Sequence, residues 1–340
     1  MGKGSRIVAV AGLTALALLT AACGDDNGDG GTGGGNGGEL SGDIFVSGSS
    51  TVEPISALNA EKFQSENPGV NITVEGPGTG DGFELFCNDE TEISDASRPI
   101  EDDEAAACED NGIEYTELEI ALDGITVMTN PANDSVTCLN NGDLYALVGP
   151  ESQGFETWSD ADALAKKVGG TGNFPDAPLD VTAPGEESGT YDAFIDLAGF
   201  EDIGVERGLS EDEAATTRPD YQSSPNDNVI IQGIEGSQSS FGWVGFAFYE
   251  NNADQIKAIE IDGGDGCIAP TRETIADSSY PLSRSLFIYV NNAKVADNDA
   301  LQAFVDFYLS DEGLASVTEV GYVDLPAERI EATRDTWGGM

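Results

Sequence analysis

No histidine occurs in the 340 residues, and only 14 lysines and arginines face 63 aspartates and glutamates. Without imidazole, Ser-His-Asp and Cys-His nucleophilic catalysis are excluded, and so is an imidazole general base. The common nitrogen ligand of zinc is missing too, and none of the five cysteines forms a CxxC pair, so neither a metal nor a cofactor is expected. The net charge of −49 excludes nucleic acid as a partner, because phosphate backbones are held by clustered Lys and Arg. It equally excludes adhesion to acidic membrane surfaces by charge alone. Such a surface suits a saline medium, where molar salt shortens the range of repulsion to about 3 Å. Long hydrophobic runs are scarce: the run from Ile7 to Leu19 is too short to span a bilayer as a permanent helix.

That run is preceded by Lys3 and Arg6 and followed by Leu19-Thr20-Ala21-Ala22-Cys23. The pattern resembles a bacterial lipoprotein signal, with basic residues on the cytoplasmic side and small residues ahead of the cleaved bond. Residues 1–22 are expected to be the signal peptide. Lipidation of Cys23 on its thiol and new amine, with palmitate-type chains, would hold the protein at the extracytoplasmic face of the cell membrane. Residues 23–41, rich in Gly, Asp and Asn, read as a flexible tether. In an exported chain the other four cysteines suggest disulfides. Of three possible pairings, the short segment between Cys87 and Cys108 favours joining those two and leaves Cys138 with Cys267.

About 300 residues remain, more than one compact core usually holds, so two lobes are expected. Strand-like and helix-like segments alternate as in an α/β layered fold. Asp43–Ser47 and Val70–Val74 read as strands, and Pro54–Gln64, Gly82–Asn88 and Glu101–Glu109 as helices. Glu117–Thr129 and Leu282–Val290 read as extended chain, and Asp299–Leu309 and Glu312–Val320 as helices. The arrangement predicts two α/β lobes joined by two crossing strands with a ligand cleft between them. Lobe I comprises 42–123 and 283–340, and lobe II 124–282.

Three turns carry the chemistry. Gly48-Ser49-Ser50-Thr51 lies between a strand and a helix, where hydroxyls and free N–H groups meet the positive end of a helix dipole. Gly78-Thr79-Gly80-Asp81-Gly82 and Glu187-Ser188-Gly189-Thr190 repeat the arrangement. One such turn is usually only a helix cap, but three at strand ends point to a shared anion site.

These turns, with Asp95-Ala96-Ser97-Arg98-Pro99-Ile100, Asp227-Asn228-Val229 and Tyr280-Pro281-Leu282-Ser283-Arg284, resemble the PstS-type phosphate-binding proteins from about Gly42 to about Gly321. The resemblance implies a type II periplasmic-binding-protein fold that closes on one phosphate and delivers it to an ABC transporter permease. It implies a monomeric carrier rather than an enzyme. It also implies phosphate contacts from Ser50, Thr51, Thr79, Ser188, Gly189 and Thr190. Two positions depart from the best-known branch: Ser97 stands where a carboxylate is expected, and Pro184 where an arginine is expected. Arg98 is a candidate replacement, with a forked contact to two phosphate oxygens.

A carboxylate that accepts the phosphate proton would reject sulfate, which has none. Asp81 is the first candidate for that role and Asp95 the second. The competing readings are a binder of another tetrahedral oxyanion such as sulfate or molybdate, an exported hydrolase built on carboxylates or a Ser-Lys pair, and a structural surface lipoprotein. If Asp81 is the acceptor, Asp81→Asn admits sulfate in a binding titration, and unchanged selectivity rules Asp81 out.

Overall fold

A computed structural model describes residues 40–186 and 188–339. Cys23, the expected signal peptide and most of the expected tether lie outside the described residues. The chain opens with β1 (Gly42–Gly48), α1 (Glu53–Glu66), β2 (Val70–Glu75), α2 (Thr79–Cys87), β3 (Ile93–Ala96), α3 (Asp102–Asp110) and β4 (Tyr115–Thr129). β1 alternates as a half-covered strand does: Ile44 and Val46 are buried while Asp43 faces solvent. It is flanked by β2 and β3, both parallel to it. On α1, Ile55, Ala60 and Phe63 fall on one helical face and meet the sheet, with Pro54 in the first turn.

α2 begins at Thr79, three residues before the expected start. Glycines at 80 and 82 weaken a helix by propensity, but packing decides here. A Cβ on Gly82 would lie 2.4 Å from the Cα of Gly48, so only glycine lets this helix approach β1.

β4 joins the two halves of the molecule. Its first part, Tyr115–Gly124, pairs antiparallel with the return strand Ser283–Asn291. From Ile125 to Met128 it pairs instead with the strand Ser240–Gly245, which carries the parallel strand Asp180–Ala183. Two principal cores follow from this division. Ile44, Val46, Ile55, Phe63, Leu118 and Phe304 belong to one. Ile125, Val127, Trp158, Phe194, Phe241 and Trp243 belong to the other, where the rings of Phe194 and Trp243 stack at 4.1 Å. Burial of each such side chain contributes about 1.5–3 kcal/mol.

The expected pair of crossing strands is joined by a third link. Leu122 and Val323 exchange two backbone hydrogen bonds of 2.9 Å, and Val323 and Leu325 pack in the second core. The helix Ala327–Gly338, absent from the sequence-based reading, then lies along β4. Its apolar positions are too sparse for a helical stripe, and Thr333 is its one buried residue among those described. Polar contacts hold it instead. Arg329 binds Glu119 of β4, the carbonyl of Ala276 at 2.8 Å and Ser285 Oγ at 2.9 Å.

Both expected disulfides are present. Cys87–Cys108 ties α2 to α3, and Cys138–Cys267 joins the outer strands of a small three-stranded sheet. Their sequence separations are 21 and 129 residues. Loop entropy in the unfolded chain predicts that Cys138→Ser with Cys267→Ser loses about 4–5 kcal/mol in urea unfolding, and the Cys87/Cys108 pair about 3 kcal/mol. Equal losses would show that strain or residual structure, not loop length, sets the values.

Candidate anion-binding cleft

Three strand ends of the first lobe are laced together by backbone geometry. β1 ends at Gly48 with φ +149°, where a Cβ would stand 2.1 Å from the carbonyl oxygen of Asp95, so no other residue fits. Ser49 N–H donates to that carbonyl at 2.9 Å, and Gly78 N–H donates to Gly48 O at 2.9 Å. Thr79 Oγ1 lies 3.1 Å from Ser97 Oγ and accepts from Ser97 N–H at 3.2 Å. Ser50, Thr51, Thr79 and Ser97 are thereby held on neighbouring turns.

The second lobe contributes the helix Gly189–Leu197, capped by Ser188, whose Oγ accepts from Thr190 N–H at 3.2 Å. Its first turn abuts the first lobe: a Cβ on Gly189 would lie 3.5 Å from Ser50 O. One turn further on, Asp192 accepts from Ser50 Oγ at 3.4 Å. The structure thus brings Ser50, Thr51, Gly189 and Thr190 together across the cleft.

Arg284, on the return strand, is the cation of this seam. Its side chain is 11% exposed; Nη2 donates to Thr51 Oγ1 at 3.1 Å, Nη1 pairs with Asp196, and Nε lies 3.5 Å from Asp123 Oδ2. Sequence reading placed Arg284 in a motif without giving it a role, because its partners Thr51 and Asp123 are remote along the chain. Asp123 was missed altogether. The available signal was an acid inside an apolar strand, since a buried carboxylate requires a partner.

Arg98 is placed differently from the expected phosphate contact. Its two terminal nitrogens donate to Glu104 at 2.7 and 2.8 Å, Nε lies 3.2 Å from Glu101, and the guanidinium covers the Phe83 ring at 5.7 Å. The capping box of α3 is the cause, because it fixes Glu101 and Glu104 just beyond Arg98. Asp81 is exposed in the first turn of α2.

Asp95 is fully buried. Its Oδ1 accepts from Ser56 Oγ at 2.9 Å, and that hydroxyl also lies 3.0 Å from Tyr308 OH. Its side chain therefore faces α1 and the first core. Burial pushes its pKa up to about 8, against the hydrogen bond from Ser56. The folded state consequently holds a proton that the unfolded chain releases near pH 4, so this group costs stability increasingly as pH rises from about 4 to about 8. Asp95→Asn should remove that part of the slope and stabilise the protein at neutral pH by a few kcal/mol, on the order of several times 1.4. Parallel wild-type and variant curves of unfolding free energy against pH would refute a neutral buried Asp95.

A family model described as the PBP superfamily domain matches residues 32–312. Protein SphX of Synechocystis is 41% identical over 292 residues, covering 85% of this chain and 80% of the relative. The phosphate-binding protein PstS of Staphylococcus haemolyticus is 37% identical over 312 residues, covering 91% and 89%. Among solved structures, a possible phosphate-binding protein from Planctomyces limnophilus superposes with a TM-score of 0.79 at 35% identity, covering 88% of this chain and 99% of that one. With the two α/β lobes and the interlobe cleft, these similarities place the chain in the PBP superfamily, within the PstS family of phosphate-binding proteins.

Proposed function

We propose that the protein captures inorganic phosphate outside the cytoplasm and delivers it to an ABC transporter permease for import. One observation carries the reading: in a chain of this family, the Ser50-Thr51 turn of one lobe meets the first turn of the helix Gly189–Leu197 of the other. Hydroxyls, N–H groups and a helix dipole then surround a small tetrahedral anion. The ligand set is Ser50, Thr51, Thr79, Ser97, Ser188, Gly189 and Thr190. Arg284 supplies the positive charge first sought at Arg98. A net charge of −49 does not oppose this. Exposed carboxylates beyond about 8 Å are screened at physiological salt, whereas the cleft donors act at contact distance.

The lobes, 42–123 with 283–340 and 124–282, would open and close about the crossing strands. Closure excludes water and completes the donor set, and the closed form is the one offered to the permease. Lipidation at Cys23 would keep a monomeric carrier beside that permease. Like the phosphate-binding proteins it is similar to, the chain fits capture rather than catalysis.

Calorimetric titration at neutral pH, after refolding to strip carried ligand, tests the reading. Saturable one-to-one phosphate binding is expected, with no heat from sulfate. Binding of sulfate alone would reassign the site to another oxyanion, and silence to both would remove the transport role.

A further inference from the structure

Three side chains share Arg284, and they are held very differently. Nη2 donates to Thr51 Oγ1 at 3.1 Å, Nε lies 3.5 Å from Asp123 Oδ2, and Nη1 pairs with Asp196. Asp123 is 2% exposed and fixed in β4, whereas the Asp196 side chain is 71% exposed. We infer that Asp196 is a displaceable counter-ion, which holds Arg284 between binding events and yields that cation to phosphate when the anion arrives. This rests on the phosphate reading, with Arg284 as the cation of the cleft. It goes beyond that reading by naming a residue that sets how readily the anion is taken up.

Local forces do not favour an acid at this position. Asp196 stands in the last turn of the helix Gly189–Leu197, where the helix dipole is negative. Asp192 lies four residues earlier, and like charges at that spacing repel. Both acids turn to the other lobe instead: Asp192 accepts from Ser50 Oγ at 3.4 Å, and Asp196 takes Arg284. Contacts across the cleft therefore offset the local cost. Asp196 also acts electrostatically on Asp123, Asp192 and Arg98, so its charge is felt by every ionisable group around the Ser50-Thr51 turn named above.

The exchange is physically inexpensive. Asp196 sets a negative charge one guanidinium away from Thr51, and an incoming phosphate meets that repulsion before it reaches the hydroxyls. An exposed partner is held weakly, because water competes for both ends of the pair. The buried Asp123 has no such route to solvent. Asp196 borders a cavity of about 370 Å³ with Asp192, Gly199, Glu201 and Asp202, which gives the released carboxylate room in water. In return, phosphate offers the guanidinium a charge-assisted hydrogen bond for the one given up.

The test is phosphate binding by calorimetry and stopped-flow fluorescence, at neutral pH and low salt, on wild type, Asp196→Asn, Asp196→Ala and Asp202→Asn. Thermal melts are the folding control, and the exposure of Asp196 means that its variants should fold. Removing its charge should tighten phosphate binding by about fivefold. The gain should lie in the association rate and shrink as salt is added. Asp202 is exposed on the same cavity and enters no ion pair among the described residues, so Asp202→Asn should change affinity by less than about twofold. Unchanged affinity in either Asp196 variant overturns the inference. Weaker binding also overturns it, since the pair would then be a clamp holding the lobes together. An equal gain in Asp202→Asn overturns it by reducing the effect to general charge. A wild type that binds no phosphate removes the transport reading, and this inference with it.

Discussion

The hydrogen-bonded ladder between β4 and the return strand Ser283–Asn291 is the constraint on which the other features depend. β4 is a single strand of 15 residues whose first part serves one sheet and whose last part serves another. Such a strand is buried on both faces over most of its second half, which makes its course costly to alter. It fixes the spacing of the two cores and holds Asp123 at their junction. Its antiparallel partner carries Arg284 to the same place, with Arg284 opposite Asp123 in register. The terminal segment adds a third link through Leu122 and Val323, and Arg329 braces the junction from outside.

A strongly acidic protein can hold an anion because the relevant fields are short-ranged. The proposed donors belong to turns whose backbones are locked by close approaches, above all Gly48 against Asp95. That pre-organisation means the hydroxyls and N–H groups need little rearrangement when an anion arrives. The acids closest to the cleft are paired or buried: Asp196 and Asp123 share Arg284, and Asp192 faces Ser50. Arg98, the more obvious cation in sequence, is instead neutralised by the capping acids of α3.

Regular secondary structure was legible wherever side-chain periodicity was strong. β1, α1 and β2 follow from alternation and a helical stripe. The start of α2 was not legible, because glycines suggest a turn there, while Gly82 permits close packing of a helix against Gly48. The terminal helix was hidden for a related reason: it is held by Arg329 and Thr333 rather than by an apolar face. The three strand-to-helix turns were readable because hydroxyl and glycine residues at helix starts have a local meaning. The partner of Arg98 was not legible, since an arginine near several acids does not announce which one it will choose.

What the sequence by itself determined were the local properties: an α/β alternation, export-compatible cysteines, the exclusion of histidine chemistry, and turns suited to an anion. These depend on residues a few positions apart, whose interactions survive in any fold that the chain adopts. The tertiary structure alone decided which charges meet. Thr51, Asp123, Asp196 and Arg284 come from four separate segments, and only the crossing of β4 with the return strand brings them within contact distance. Burial there removes the water that would otherwise screen them, so the long-range pairing also sets how strongly those charges act.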